Sequence, residues 1–153
     1  MGIVEFLEAQ IAEDEAVAKA ALHHPRTYNK ATQDFDQTGT DKGSWYTSSF
    51  CDPSDQRMVE GVGITIYDEG GHTAEQAEHI ARHDPARILR EVAAKRAVMI
   101  AADDATSYDM TVESDRGVGS RNMIEDPYVG DVILRALACA YSDHPDFNEE
   151  WRP

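Results

Sequence analysis

Two helix-start signals set almost back to back constrain this chain more than any other feature in it. In the stretch from Gly71 to Ile100, GHTAEQAEHIARHDPARILREVAAKRAVMI, Thr73 stands three residues before Gln76. This is a capping box, in which each side chain satisfies a free backbone N–H at a helix start. It predicts a helix from about Ala74 to His83. Asp84-Pro85 follows as an N-cap and a proline at the first helical position, where the missing N–H is no loss. A second helix therefore begins almost without a loop. At about 100° per residue, Ile88, Leu89, Val92, Ala93, Met99 and Ile100 share one stripe of it, and Arg87, Arg90 and Glu91 fall outside. The pattern is that of a core helix.

Arg96 interrupts that stripe, since the same wheel sets it between Val92 and Ile100. A guanidinium cannot be neutralised by losing a proton, so a buried one requires a carboxylate or several carbonyls around it. Asp14, at the inner margin of the apolar face of the first helix, is the partner its wheel position selects. The expectation is a largely buried structural ion pair between Asp14 and Arg96, with the two helices packed together. The alternative is an arginine laid along apolar surface with its head in water. An Arg96 lining an open cavity without a carboxylate would instead be a site for an anionic ligand.

Ile3 to Leu22 has helical spacing, with Val4, Leu7, Ile11, Ala18 and Leu22 on one face, and His24-Pro25 ends it. The period then changes. Trp45 to Cys51 and Val59 to Tyr67 are rich in β-branched and aromatic residues and read as strands. A strand around Thr27 to Phe35, before the turn at Gly39 to Gly43, completes a three-stranded antiparallel meander. Ile64 and Ile66 face the helices, and Thr65 and Tyr67 face away. Ala101 to Glu125 mixes acidic residues with glycines and shows no sustained period, so it reads mostly as loop after the central helix has run a turn or more past Ile100. Asp126-Pro127 repeats the cap-plus-proline signal, and Val129, Val132, Ile133, Ala136, Leu137 and Ala140 share a face of the last helix. Asp143-His144-Pro145 stops that helix, and Phe147 and Trp151 in the tail are placed to dock back as aromatic plugs. The expected fold class is α+β in one domain: an N-terminal helix, the meander, two consecutive central helices, and a C-terminal helix with its docked tail, the helices lying on one sheet face.

A length of 153 residues suits one domain with its own core. Cys51 and Cys139 are too far apart for a zinc cluster or a disulfide framework and read as plain thiols of a reducing compartment. The sequence has no signal-peptide pattern, no apolar run of spanning length and no myristoylation motif, so the expectation is a soluble cytosolic protein. A net charge of −15 disfavours direct nucleic-acid or membrane binding. The positive charge concentrates in the central stretch, where Arg82, Arg87, Arg90, Lys95 and Arg96 outnumber Asp84 and Glu91.

Glu75, His79 and His83 follow one another at helical spacing on the polar face of the first central helix, and two histidines four apart can share a metal. Ile80 stands where a zinc-protease helix needs its glutamate. The ordinary reading is a surface His79 and a His83 that closes the helix. His23, His24 and His144 stand beside prolines at helix ends, where a ring caps free carbonyls. Gly61-Val62-Gly63 and Gly117-Val118-Gly119 lack the spacing of a phosphate loop. The first reads as a strand irregularity and the second, between Arg116 and Arg121, as a loop able to close on an anion. With Arg96 and Arg82 these arginines are the candidate anion-binding residues. Trp45, Tyr46, Tyr67 and Tyr128 either pack the sheet or form a stacking platform.

The segments FLEAQIAEDEAVAKAA, HIARHDPARILREVAAKR and LRALACAYSDHPDFNEEWRP occur in that order. They resemble the conserved parts of a domain-of-unknown-function family of small proteins from actinobacteria and their phages. The resemblance implies such an origin and supplies no activity. Many relatives carry a cysteine-rich stretch before the last helix, which Cys139 alone does not reproduce, so a family zinc site would not carry over. The resulting expectation is a non-enzymatic acidic binding protein without a cofactor, in the cytosol of the bacterium or of a phage's host. It would modulate a host or self protein, as a homo-oligomer in the latter case, or sequester an anionic small ligand. The alternatives are a DNA mimic built from surface carboxylates, a virion structural protein, and a metal-dependent hydrolase using Glu75, His79 and His83.

Overall fold

The computed structural model describes residues 1–22, 26–37, 41–49, 51–52, 54–67, 71–116 and 127–152, without the side chains of 26–29, 34–37, 115 and 116. Helix α1 spans Ile3–Ala20, then come strands β1 (Arg26–Asn29), β2 (Asp34–Gln37), β3 (Tyr46–Ser48), β4 (Met58–Gly61) and β5 (Ile64–Ile66). Helices α2 (Ala74–Arg82), α3 (Pro85–Arg116) and α4 (Val129–Ala138) follow, with short 3-10 turns at Cys139–Tyr141 and Glu149–Trp151. The fold is α+β. The chain divides into two compact units, one of Asp14–Glu91 and one of Met1–Glu13 with Val92–Pro153.

The first of these holds the strands. A three-stranded antiparallel sheet exists, in the order β3-β4-β5, but its strands are not all those expected. Val59 to Tyr67 is a hairpin, with Val59 opposite Ile66 and Gly61 opposite Ile64, and Gly63 at a φ of 71° makes the turn. Gly61-Val62-Gly63 is thus a turn and not an irregularity within one strand. The stretch from Thr27 to Phe35 is likewise a hairpin, β1 with β2, forming a two-stranded sheet of its own. Helix α2 covers the larger sheet. Val59, Ala77 and Ala81 are buried together, with Trp45, Ile66 and Ile80 packed around them, while Thr65 and Tyr67 are exposed on the other side. The indole of Trp45 lies so close to Gly61 that a Cβ there would stand 2.5 Å from its ring.

Both helix-start signals behave as their chemistry dictates. Thr73 Oγ1 accepts from the Gln76 N–H at 3.3 Å and Gln76 Oε1 accepts from the Thr73 N–H at 2.8 Å. Asp84, buried, accepts from the Arg87 N–H at 2.7 Å through one oxygen and from the Trp45 N–H at 3.2 Å through the other. One carboxylate therefore caps α3 and tethers the strand entering the sheet. Asp84→Ala is expected to cost about 2 to 3 kcal/mol, from the lost cap and the stranded, part-buried Trp45 amide, and Asp84→Asn about 1 kcal/mol less, because asparagine keeps the cap but its NH2 cannot accept from the Trp45 N–H. Urea titration of the two variants checks this. Equal losses would mean that the cap geometry contributes little.

The other unit is helical. Phe6, Leu7, Ala102, Leu134 and Ala138 form its buried centre, with no strand residue among them. The helical unit therefore has a core of its own. Phe147 and Trp151 do dock back: their rings lie 6.2 and 5.0 Å from that of Phe6. His144 also packs against Phe6, at 5.7 Å, and accepts from the Asp146 N–H at 3.1 Å.

Two expectations about helices are corrected here. Ala101 to Arg116 is helix, part of the 32 residues of α3. Its less exposed stripe is Ala102, Ala105, Thr106, Asp109, Val112 and Glu113, in which Val112 is the one large apolar residue, too few to carry a hydrophobic period. They bind α4 by other means: Asp109 Oδ2 accepts from the Val129 N–H at 3.4 Å, and Glu113 accepts from the Tyr128 hydroxyl at 2.9 Å. The start of α4 is shifted too, since Tyr128 is its N-cap and has no side-chain capping bond. Asp126 lies outside the described residues. The buried positions of α4 are Gly130, Leu134 and Ala138, while Val129, Val132, Ala136 and Ala140, expected in the core, are exposed.

Candidate functional site

Among the described residues no three His, Cys, Asp or Glu side chains are grouped to hold a metal ion, and Glu75, His79 and His83 are no exception. The rings of His79 and His83 lie 4.2 Å apart between centroids, tilted by 41°. His83 Nδ1 donates to the His79 carbonyl at 2.8 Å, which leaves only its Nε2 with a lone pair. His83 thus closes the helix, as its ordinary reading has it. The Thr73 hydroxyl, hydrogen-bonded to Glu75, holds that carboxyl below its usual range. These residues border shallow, open hollows of the strand-bearing unit that also include Gln76 and Arg82. The cations there are engaged locally, Arg82 with Glu78 at 2.7 Å and Arg87 with Glu91 at 2.6 Å.

Of the remaining candidate anion-binding residues, Arg121 lies outside the described residues together with the Gly117-Val118-Gly119 loop, as does the side chain of Arg116. Trp45 is packed against the sheet core, Tyr46 and Tyr67 are exposed, and Tyr128 is hydrogen-bonded to Glu113 in the helical unit.

Arg96 is the candidate with a concave setting. It lines a groove of about 400 Å³ on the helical unit, together with Glu8 and Ile11 of α1 and Met99 and Ile100 of α3. The floor is apolar and well anchored: Ile11 is buried, and Met99 packs against the unit's core. The groove has the make-up of a recognition site, an apolar base with a few polar groups that orient what enters. Helical spacing explains its lining. Glu8 and Ile11 are three apart on α1, while Arg96, Met99 and Ile100 are three and four apart on α3, so each helix presents one stripe.

The burial expected for Arg96 is not found: it is exposed, and Asp14 is half-buried. The apolar stripe around it is only partly covered, with Val92 buried, Met99 half-buried, and Ala93 and Ile100 exposed, the last at 65%. A long arginine stem can lie over apolar surface while its head remains hydrated, so the wheel position does not force burial.

The whole chain, residues 1–153, matches the model of a family of unknown function, DUF6221. The chain belongs to the DUF6221 family. No curated protein and no solved structure matches it. For this DUF6221 member no helix among the described residues is long and apolar enough to cross a membrane. Cys51 and Cys139 are free thiols, the first exposed and the second half-buried.

Proposed function

We propose that this DUF6221 member is a non-enzymatic interaction protein whose Arg96 groove takes an apolar segment of another protein. The observation that carries this reading is the pairing of an apolar floor with an exposed apolar rim: Ile100, which lines the groove, is 65% exposed. Large apolar side chains exposed next to a groove mark docking surfaces more often than catalytic ones. A simple anion fits less well, because Glu8 lines the same groove as Arg96 and would repel it. DNA mimicry fits less well too. Asp109 and Glu113 are spent on hydrogen bonds to the start of α4, so the acidic run from 103 to 115 is not a free phosphate-like array. On the family resemblance we place the protein in the cytosol of an actinobacterium or of a phage's host.

The test compares the wild-type chain with Ile100→Glu as bait in native co-purification. Wild type is expected to retain a protein in stoichiometric amount, and Ile100→Glu to lose it while keeping its circular dichroism spectrum. Equal retention by both chains would refute the groove as the docking surface.

A further inference from the structure

We infer that the occupant of the Arg96 groove is the same groove of a second copy of this chain, in a two-fold symmetric dimer. The inference rests on the docking reading just proposed and names its partner.

At a net charge of −15 two copies repel each other, and the repulsion is screened only beyond about 8 Å at physiological ionic strength. Self-association therefore requires a patch that is locally neutral and complementary to itself. Within its lining the groove meets both conditions. Its lining holds one carboxylate, Glu8 on α1, and one guanidinium, Arg96 on α3, around an apolar floor. A two-fold axis brings each residue of one copy to its counterpart's neighbour, so that i meets j and j meets i. Glu8 of each copy then meets Arg96 of the other, and two charge pairs form at once. Arg96 has five N–H donors, enough to engage an outside carboxylate beside any partner within its own chain. Ile100, which lines the groove and is mostly exposed, is the side chain each copy inserts into the other. A partner of uniform charge would satisfy only one of the two charges and leave the other facing its like.

Charge reversal tests the pairing. Glu8→Arg sets guanidinium against guanidinium across the interface, and Arg96→Glu sets carboxylate against carboxylate, each twice in a homodimer. Either variant is expected to weaken dimerisation by more than roughly tenfold in sedimentation velocity. Glu8→Arg also lowers the net negative charge, which by itself would favour association, so a loss there reports on the pair. Mixed together, the two variants are expected to form a heterodimer, because both cross-pairs then join opposite charges: the Arg96 left in one variant meets the Glu8 left in the other, and the two substituted positions meet with their signs exchanged. Native mass spectrometry distinguishes the heterodimer by mass, and recovery on mixing shows that both variants are folded. A wild-type chain that stays monomeric into the submillimolar range, single reversals that dimerise as wild type does, or a mixture that remains monomeric would each overturn the dimer. If any of these occurs while the wild-type chain retains another protein that Ile100→Glu loses, the docking reading stands and only the identity of the partner is wrong. If no protein is retained either, both fail.

Discussion

Gly130→Ala is expected to destabilise the helical unit by about 3 kcal/mol or more, at the upper end of what overpacking a well-filled interior costs. A Cβ built at Gly130 would stand 2.0 Å from the Ala102 carbonyl oxygen and 2.1 Å from Thr106 Oγ1. The hydroxyl could rotate away, but the carbonyl belongs to α3 itself and can yield only if the two helices separate. Separation would loosen three further features: the Asp109 contact to the Val129 N–H, the Tyr128 bond to Glu113, and the burial of Leu134 and Ala138. Adding Thr106→Ala should therefore fail to rescue the variant. The measurement is a denaturant midpoint for the single and double variants, with the slope of the transition checked for constancy. A shift below about 0.5 kcal/mol in the single variant would mean that α3 and α4 are not this close, as surface substitutions stay within that range.

Phe6→Ala is expected to cost about 3 to 5 kcal/mol, the range for deleting a buried aromatic ring. Phe6 is fully buried and its ring meets Tyr141, His144, Phe147 and Trp151, edge-on or tilted, at 5.0 to 6.3 Å between centroids. Removing it takes away both transfer energy and the edge-to-face contacts that hold the C-terminal tail. The loss has a local signature as well: Trp151 should become more exposed, with a red-shifted emission and faster quenching, before the unit unfolds globally. Val4→Ala, two residues earlier and 44% exposed, serves as the control and should change stability little. If Phe6→Ala leaves the Trp151 environment unchanged, the tail is held by something other than this ring.

Phe6 also marks where a helical wheel falls short. The spacing of the first helix predicts Val4 inside with Leu7, Ile11 and Ala18; these last three are buried, but Phe6 and Gln10 are buried with them and Val4 is exposed. The period was right and its phase was off by part of a turn. The last helix repeats the lesson, since Val129 and Val132 are outside and Gly130 is inside. Hydrophobicity ranks a glycine low, but its missing Cβ is what allows the Ala102 carbonyl so near.

What the sequence determined by itself is local. Thr73 with Gln76, and Asp84 with Pro85, act on backbone groups within a turn of themselves, and such chemistry depends on little beyond the neighbouring residues. The α+β class and the existence of strands between Trp45 and Tyr67 belong with them, as period and side-chain type speak for them directly. Only the tertiary structure decided the rest. It made a helix of Ala101 to Arg116, whose inner face is held by Asp109 and Glu113 hydrogen bonds and by close approach to Gly130, none of which leaves a hydrophobic period. It turned Gly61-Val62-Gly63 into a hairpin, and left Arg96 exposed in a groove beside Glu8, a residue separated from it by most of the chain. A local rule cannot place two such residues side by side, because their proximity follows from how α1 and α3 pack within the helical unit, and that packing is a property of the assembled core.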